Sequence, residues 1–171
     1  TQAVVETSGN LTNNLSTSAS TAAGQMSWVL SGGFAAKGGD LHVSLNSGAT
    51  LVWDSTPGFV IAAQELQLGS NTADSTVYFD NARYLGTNAG RTIRVFDGTS
   101  AGEAGRTIAI GITSGTGGLI KQGPGTLILA AANTYNSITT VSAGTLRIAD
   151  GTNATGTTGG GTTNVATGST V

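Results

Sequence analysis

The single histidine, His42, sits in the run Leu41-His42-Val43-Ser44-Leu45. As a general base it would need a nucleophile and a carboxylate beside it. No Gly-x-Ser-x-Gly elbow supplies the nucleophile, and the apolar–polar alternation of the run puts His42 on the solvent side of a strand. Carboxylates can also act in pairs, as glycoside cleavage requires. The candidate pairs are Asp74 with Asp80 and Asp97 with Glu103. All four stand beside turn-forming residues, where Asp commonly serves the local backbone. Nine acids in 171 residues are too sparse to line a cleavage groove. Gly117-Gly118 and Gly159-Gly160-Gly161 approach the calcium repeats of secreted solenoids, but neither has an Asp at the required offset. There is no EF-hand loop and no cysteine to ligate zinc. The glycine-rich segments 115–118 and 156–161 lack the spacing of phosphate-binding loops and read as turns. The sequence therefore predicts no catalytic residue, no metal site and no cofactor: the chain is expected not to be an enzyme.

The elements that would hold any site are legible in the composition. Gly and Thr make up about a third of the chain, while charged residues are 9% and aromatic residues 5%. Disordered chains are usually rich in charge and proline; here there are two prolines, Pro57 and Pro124. What remains is β-branched residues, Gly, Asn and Ser, the material of strands and tight turns. No window sustains a 3.6-residue apolar period. The fold class is all-β. Net charge is −2 and the seven Lys and Arg form no cluster, so the positive stripe that nucleic acid requires is missing. No apolar run reaches the length of a membrane-spanning helix. The absence of cysteine fits an exported chain, and the start at Thr1 fits a processed chain or part of a longer one.

Residues 1–24 are rich in Thr, Ser, Asn and Ala, with Val4, Val5, Leu11 and Leu15 as the only candidates for burial. They read either as a loosely ordered extension or as an irregular strand capping one end. From residue 25 to 171, strand-like runs of about five residues recur between turn residues. They include Met26–Leu30, Leu41–Leu45, Ala49–Trp53, a longer run Phe59–Leu68, Thr76–Phe79, Thr92–Phe96 and Arg106–Ile112. Gly48-Ala49-Thr50-Leu51 returns as Gly168-Ser169-Thr170-Val171, and Gly-Thr-Leu occurs at Gly125-Thr126-Leu127 and Gly144-Thr145-Leu146. The last three copies lie 19 and 24 residues apart, about one turn of a solenoid. At that spacing the chain makes six or seven rungs, each burying its apolar face only against its neighbours.

Residues 117–148 carry a more specific pattern. Gly118-Leu119, Lys121, Gly123, Gly125-Thr126-Leu127, Leu129, Asn133-Thr134-Tyr135, Thr140-Val141 and Gly144-Thr145-Leu146 closely resemble the autotransporter-associated β-strand repeat. The chain departs from it at Ser137, where the family more often has Gly. The resemblance implies a right-handed parallel β-helix (β-solenoid) with short strands and Gly/Asn/Thr turns, in the passenger region of a secreted bacterial surface protein. It implies no chemistry, since the consensus residues are structural. In a bacterial protein the sequons at Asn10, Asn14 and Asn153 are chance matches. Asn133 is expected to satisfy corner backbone groups, and Tyr135 to lie across the rung with its hydroxyl in water.

The expectation is a non-catalytic structural element of the cell surface that propagates a β-rod. Its sheet edge at Thr170-Val171 would pair with further chain or with a second copy, giving an end-to-end filament. An adhesive or glycan-binding module is the alternative, and exposed aromatic or Asn rows would favour it. A polysaccharide-active enzyme is a third reading and would need converging acids.

Overall fold

The structure, a computed structural model, describes residues 3–17, 22–28, 30–87, 90–98, 107–109, 115–130, 133–148 and 163–171, with the backbone alone for 107–109. Its strands begin with β1 (Val4–Leu15), β2 (Gln25–Met26), β3 (Gly32–Leu45) and β4 (Leu51–Val52). Then come β5 (Leu66–Leu68), β6 (Val77–Phe79), β7 (Arg83–Tyr84), β8 (Arg91–Val95) and β9 (Thr107–Ala109). The series ends with β10 (Leu119–Gln122), β11 (Thr126–Leu129), β12 (Thr139–Val141), β13 (Thr145–Ile148) and β14 (Thr163–Val165). A 3-10 turn at Asn46–Gly48 is the helical element among the described residues.

Every pairing between these strands is parallel. Parallel neighbours need a long return path, and here the return path is the rest of the rung. The first half of β1, the first half of β3, and β5, β8, β10, β12 and β14 stack as one face. The second halves of β1 and β3 stack with β6, β9, β11 and β13 as another. β4 and β7 start a third. The long strand β3 serves two faces because it turns at Gly38 and Gly39, whose φ angles are 74° and 148°. The chain is a β-solenoid.

Alternation decides what goes inside. In β8 the residues Arg91, Ile93 and Val95 are buried while Thr92 and Arg94 are less so, as the period of two requires. Successive rungs align these inward residues into ladders. One runs Leu66–Ile93–Lys121–Val141 on the first face; another runs Phe34–Leu68–Val95. Each large apolar side chain buried in this way contributes roughly 1.5–3 kcal/mol.

The rungs are not uniform, contrary to a repeat of 19 to 24 residues throughout. Gly32 pairs with Leu66, a step of 34; Leu66 with Ile93, 27; Ile93 with Lys121, 28; Lys121 with Val141, 20; and Val141 with Val165, 24. The long rung carries a loop where Phe59–Leu68 had read as one strand, and only Leu66–Leu68 pairs. Asp54 and Ala63 both have φ near 64° and Gly58 has 76°, and the Asp54 carboxylate accepts the Ala62 N–H at 2.8 Å. The turns tuck Phe59 among Trp28, Trp53 and Phe79 at centroid distances of 5.7, 5.9 and 6.4 Å, all edge-to-face. Trp28–Phe34 and Phe34–Phe79 contacts complete an aromatic core in the early rungs. Among the described residues of the run Met26–Leu30, Met26 is the one in a strand, β2, and the Trp28 N–H goes to the Gly58 carbonyl of that loop.

Residues 4–15 form the first strand of the stack, paired along β3 from Val4↔Gly33 to Asn13↔Leu45. The pairing leaves no room at Gly33. A methyl group there would stand 1.8 Å from the Gln67 carbonyl oxygen in the next rung. Gly33→Ala is expected to cost about 3 kcal/mol or more, read as a fall in the denaturant midpoint with unchanged slope.

Candidate functional site

Several of the polar groups drawn into the stack serve its corners. After the second face, Asn46 accepts the Leu15 N–H of the preceding rung at 2.7 Å. One rung on, Asn81 repeats the arrangement. It accepts the Leu45 N–H and donates to the carbonyls of Leu45 and Ala49, all at 2.7 Å. Its side chain is fully buried, and three good bonds satisfy an amide that would otherwise be costly there. Asn133 is buried after β11 on the same side of the chain. The sequence pointed to Asn133 for this role; it read residues 81–85 as part of a weaker lead-in to the repeat and assigned Asn81 no corner bond.

Lys121 is a charged group that composition did not lead one to expect inside. It is on the inward ladder between Ile93 and Val141 and has no exposed surface. A buried ammonium must find acceptors. Lys121 Nζ donates to the carbonyls of Gln122 at 3.0 Å, Gly123 at 2.7 Å and Ala143 at 2.9 Å. Those carbonyls belong to two successive corners, 122–125 and 142–144. Burial, with the Arg94 guanidinium nearby, pushes the Lys121 ammonium down to about 8. The corners fit only glycine: a methyl group would lie 2.3 Å from the Val95 carbonyl oxygen at Gly123 and 2.4 Å from that of Gly123 at Gly144.

The remaining repeat residues are placed as follows. Leu119, Leu127, Val141 and Leu146 are in the core; Gly118 and Gly125 are buried at backbone contacts. Thr126 and Thr145 pair across β11 and β13, and Thr134 is exposed. Tyr135 differs from the wet hydroxyl expected of it. It is fully buried, its hydroxyl bonded to Thr139 Oγ1 at 2.6 Å, and burial pushes its phenol up to about 12. Thr170 bridges to Thr145, and Val171 is exposed.

The acids the sequence singled out serve separate partners. Asp74 accepts the Gly38 N–H at 2.7 Å and the Ser75 hydroxyl at 2.9 Å; these bonds hold its carboxyl below the usual range. Asp80 lies 3.3 Å from His42 Nδ1. His42 projects outward, its side chain 48% exposed, and stacks on Tyr78 at 4.5 Å and 4°. Asp97 is exposed, while Glu103, Asn153 and the glycine run 156–161 lie outside the described residues. Among the described residues no three His, Cys, Asp or Glu side chains form a metal-holding group. On the first face, Arg94 holds Glu65 in a two-pronged pair at 2.7 and 2.8 Å and also meets Gln122. The arrangement can order backbone and stack rungs.

These features define a parallel β-solenoid whose corners are fastened by buried polar side chains. Residues 119–148 match the family model described as passenger-associated-transport-repeat, so this stretch is similar to the autotransporter passenger repeat. No curated protein and no solved structure matches the chain.

The Lys121 environment has a pH signature. An unfolded lysine titrates near 10.5 and this one near 8, so between these values the unfolded chain binds more protons and folding stability rises with pH. Denaturant titrations should show the fold gaining on the order of 2 kcal/mol from pH 8 to pH 10. In Lys121→Met that gain should be absent; an equal gain in the variant would assign it to another group.

Proposed function

We propose that the chain is a non-catalytic, rod-building segment of a secreted bacterial surface protein. The observation that carries this reading is the use made of the repeat's own polar residues. Lys121 is committed to three backbone carbonyls and Tyr135 to Thr139. Asn81 works in the same way in an earlier rung. Side chains bound in this manner are unavailable to a substrate, and they do the work that lets one rung stand on the next. Each rung joins its neighbour by the same parallel pairing, which would accept following chain or a second copy equally. End-to-end assembly into a filament is the finer form of the proposal.

One observation favours a second reading, an adhesive or glycan-binding passenger module. Asn10, His42 and Tyr78 stand in register on the outer side of the second face, with Asn10 and His42 exposed. Aromatic rings beside polar groups suit sugar contact.

Electron microscopy of the purified chain, paired with retention on immobilised polysaccharide, separates the readings. The rod proposal expects narrow rods of constant width that pass unretained, lengthening with concentration if copies stack. Retention that His42→Ala and Tyr78→Ala abolish would move the conclusion to the adhesive reading, and globular particles would contradict both.

A further inference from the structure

The strands around Lys121 are poorly specified by their apolar pattern. Inward residues of the following rung are Thr139 and Val141, with Ala143 next at the corner. All are small enough to take one another's place. A slip by one residue would turn the strand inside out, but a slip by two keeps every side chain on its side. The apolar ladder alone therefore discriminates weakly between Lys121↔Val141, the observed pairing, and Lys121↔Ala143. This is also where the rungs shorten, from a step of 28 residues into Lys121 to a step of 20 out of it. The chain must start a tighter circuit here and enter it in one register.

Lys121 supplies what the apolar residues do not. Its Nζ reaches the Gln122 and Gly123 carbonyls of its own corner and the Ala143 carbonyl of the next. A two-residue slip would carry the 142–144 corner, and with it the Ala143 carbonyl, about 7 Å along the strand, out of hydrogen-bond range. It would set Thr145 of β13 in its place, a strand residue whose carbonyl the parallel ladder engages, so the ammonium would lose a corner acceptor. Neighbouring rungs give the same position to Ile93 and Val141, so space alone does not require a charge. Single buried polar groups fix register in coiled coils by the same penalty on misaligned states.

We propose that Lys121 is a register lock, a buried cation that selects one alignment of the 119–122 and 139–141 strands where the solenoid changes rung length.

The chain has no cysteine, so alignment can be read by disulfide trapping. Ile120 and Thr140 face each other in register, and Ser142 lies two residues further on. Diagonal neighbours at that offset are too far apart for a disulfide. With Lys121 present, Ile120→Cys should oxidise with Thr140→Cys at least about tenfold faster than with Ser142→Cys. In the Lys121→Met background the two pairs should come within about threefold of each other. An undiminished preference in that background would overturn the proposal, because the apolar ladder and the glycine corners would then set the register without Lys121. Should Lys121→Met fail to fold, the same substitution is introduced with the Ile120→Cys/Thr140→Cys pair oxidised during refolding. Recovery of amide protection in 139–148 supports a lock, since the tether replaces it. Failure to recover makes Lys121 a packing residue and contradicts the proposal.

Discussion

The close approach of one rung's backbone to the next is the constraint on which everything else depends. Parallel strands of successive rungs lie about 4.8 Å apart, and at several corners the contact is backbone on backbone. At Gly118 and Gly125 a methyl group would lie 2.5 Å from the carbonyl oxygens of Ile138 and Phe96. This spacing explains the glycine content. It also explains the polar interior, because corners this tight bring together carbonyls and N–H groups that the strand ladders do not satisfy. Asn46, Asn81 and Lys121 reach those groups. Side chains that in another fold would be candidates for chemistry are here part of the backbone's hydrogen bonding.

The two ends of the described stack solve the burial problem differently. The early rungs are long and place Trp28, Phe34, Trp53, Phe59 and Phe79 in one edge-to-face cluster. Arg83 lies over Phe79 at 4.4 Å and donates to its carbonyl. The later rungs are short and narrow, with Leu119, Leu127, Val141 and Leu146 around a lysine and a tyrosine. Polar fastening serves both, through Asn46 and Asn81 in the early rungs and Lys121 and Tyr135 in the later ones, while the aromatic cluster belongs to the early rungs. The 119–148 repeat belongs to the narrow kind.

Much of this was legible in the sequence for physical reasons. The parallel stack follows from Gly-Thr-aliphatic returns such as Gly125-Thr126-Leu127 and Gly144-Thr145-Leu146, which the structure places on adjoining strands. His42 was readable as an outward residue from period-two alternation alone. Illegible was whatever depends on contacts distant in sequence. Nothing local separates Phe59 at the start of a strand from Phe59 in a loop folded over Trp28. Lys121 looks like a surface residue on any composition argument, and the carbonyl of Ala143, 22 residues on, completes with those of Gln122 and Gly123 the set that makes its burial tolerable. Tyr135 was misplaced for a different reason: its partner Thr139 is only four residues on, but the turn that folds the two hydroxyls together inside the rung is not written in the residue types.

The stack depends on in-register parallel pairing through Lys121. Solution NMR on the isotopically labelled chain measures it most directly. Nuclear Overhauser contacts between Ile93 and Lys121, and between Lys121 and Val141, with the sequential pattern of parallel strands, are the predicted result. Antiparallel contacts between β10 and β12, or a Lys121 side chain that exchanges freely with water, would contradict it.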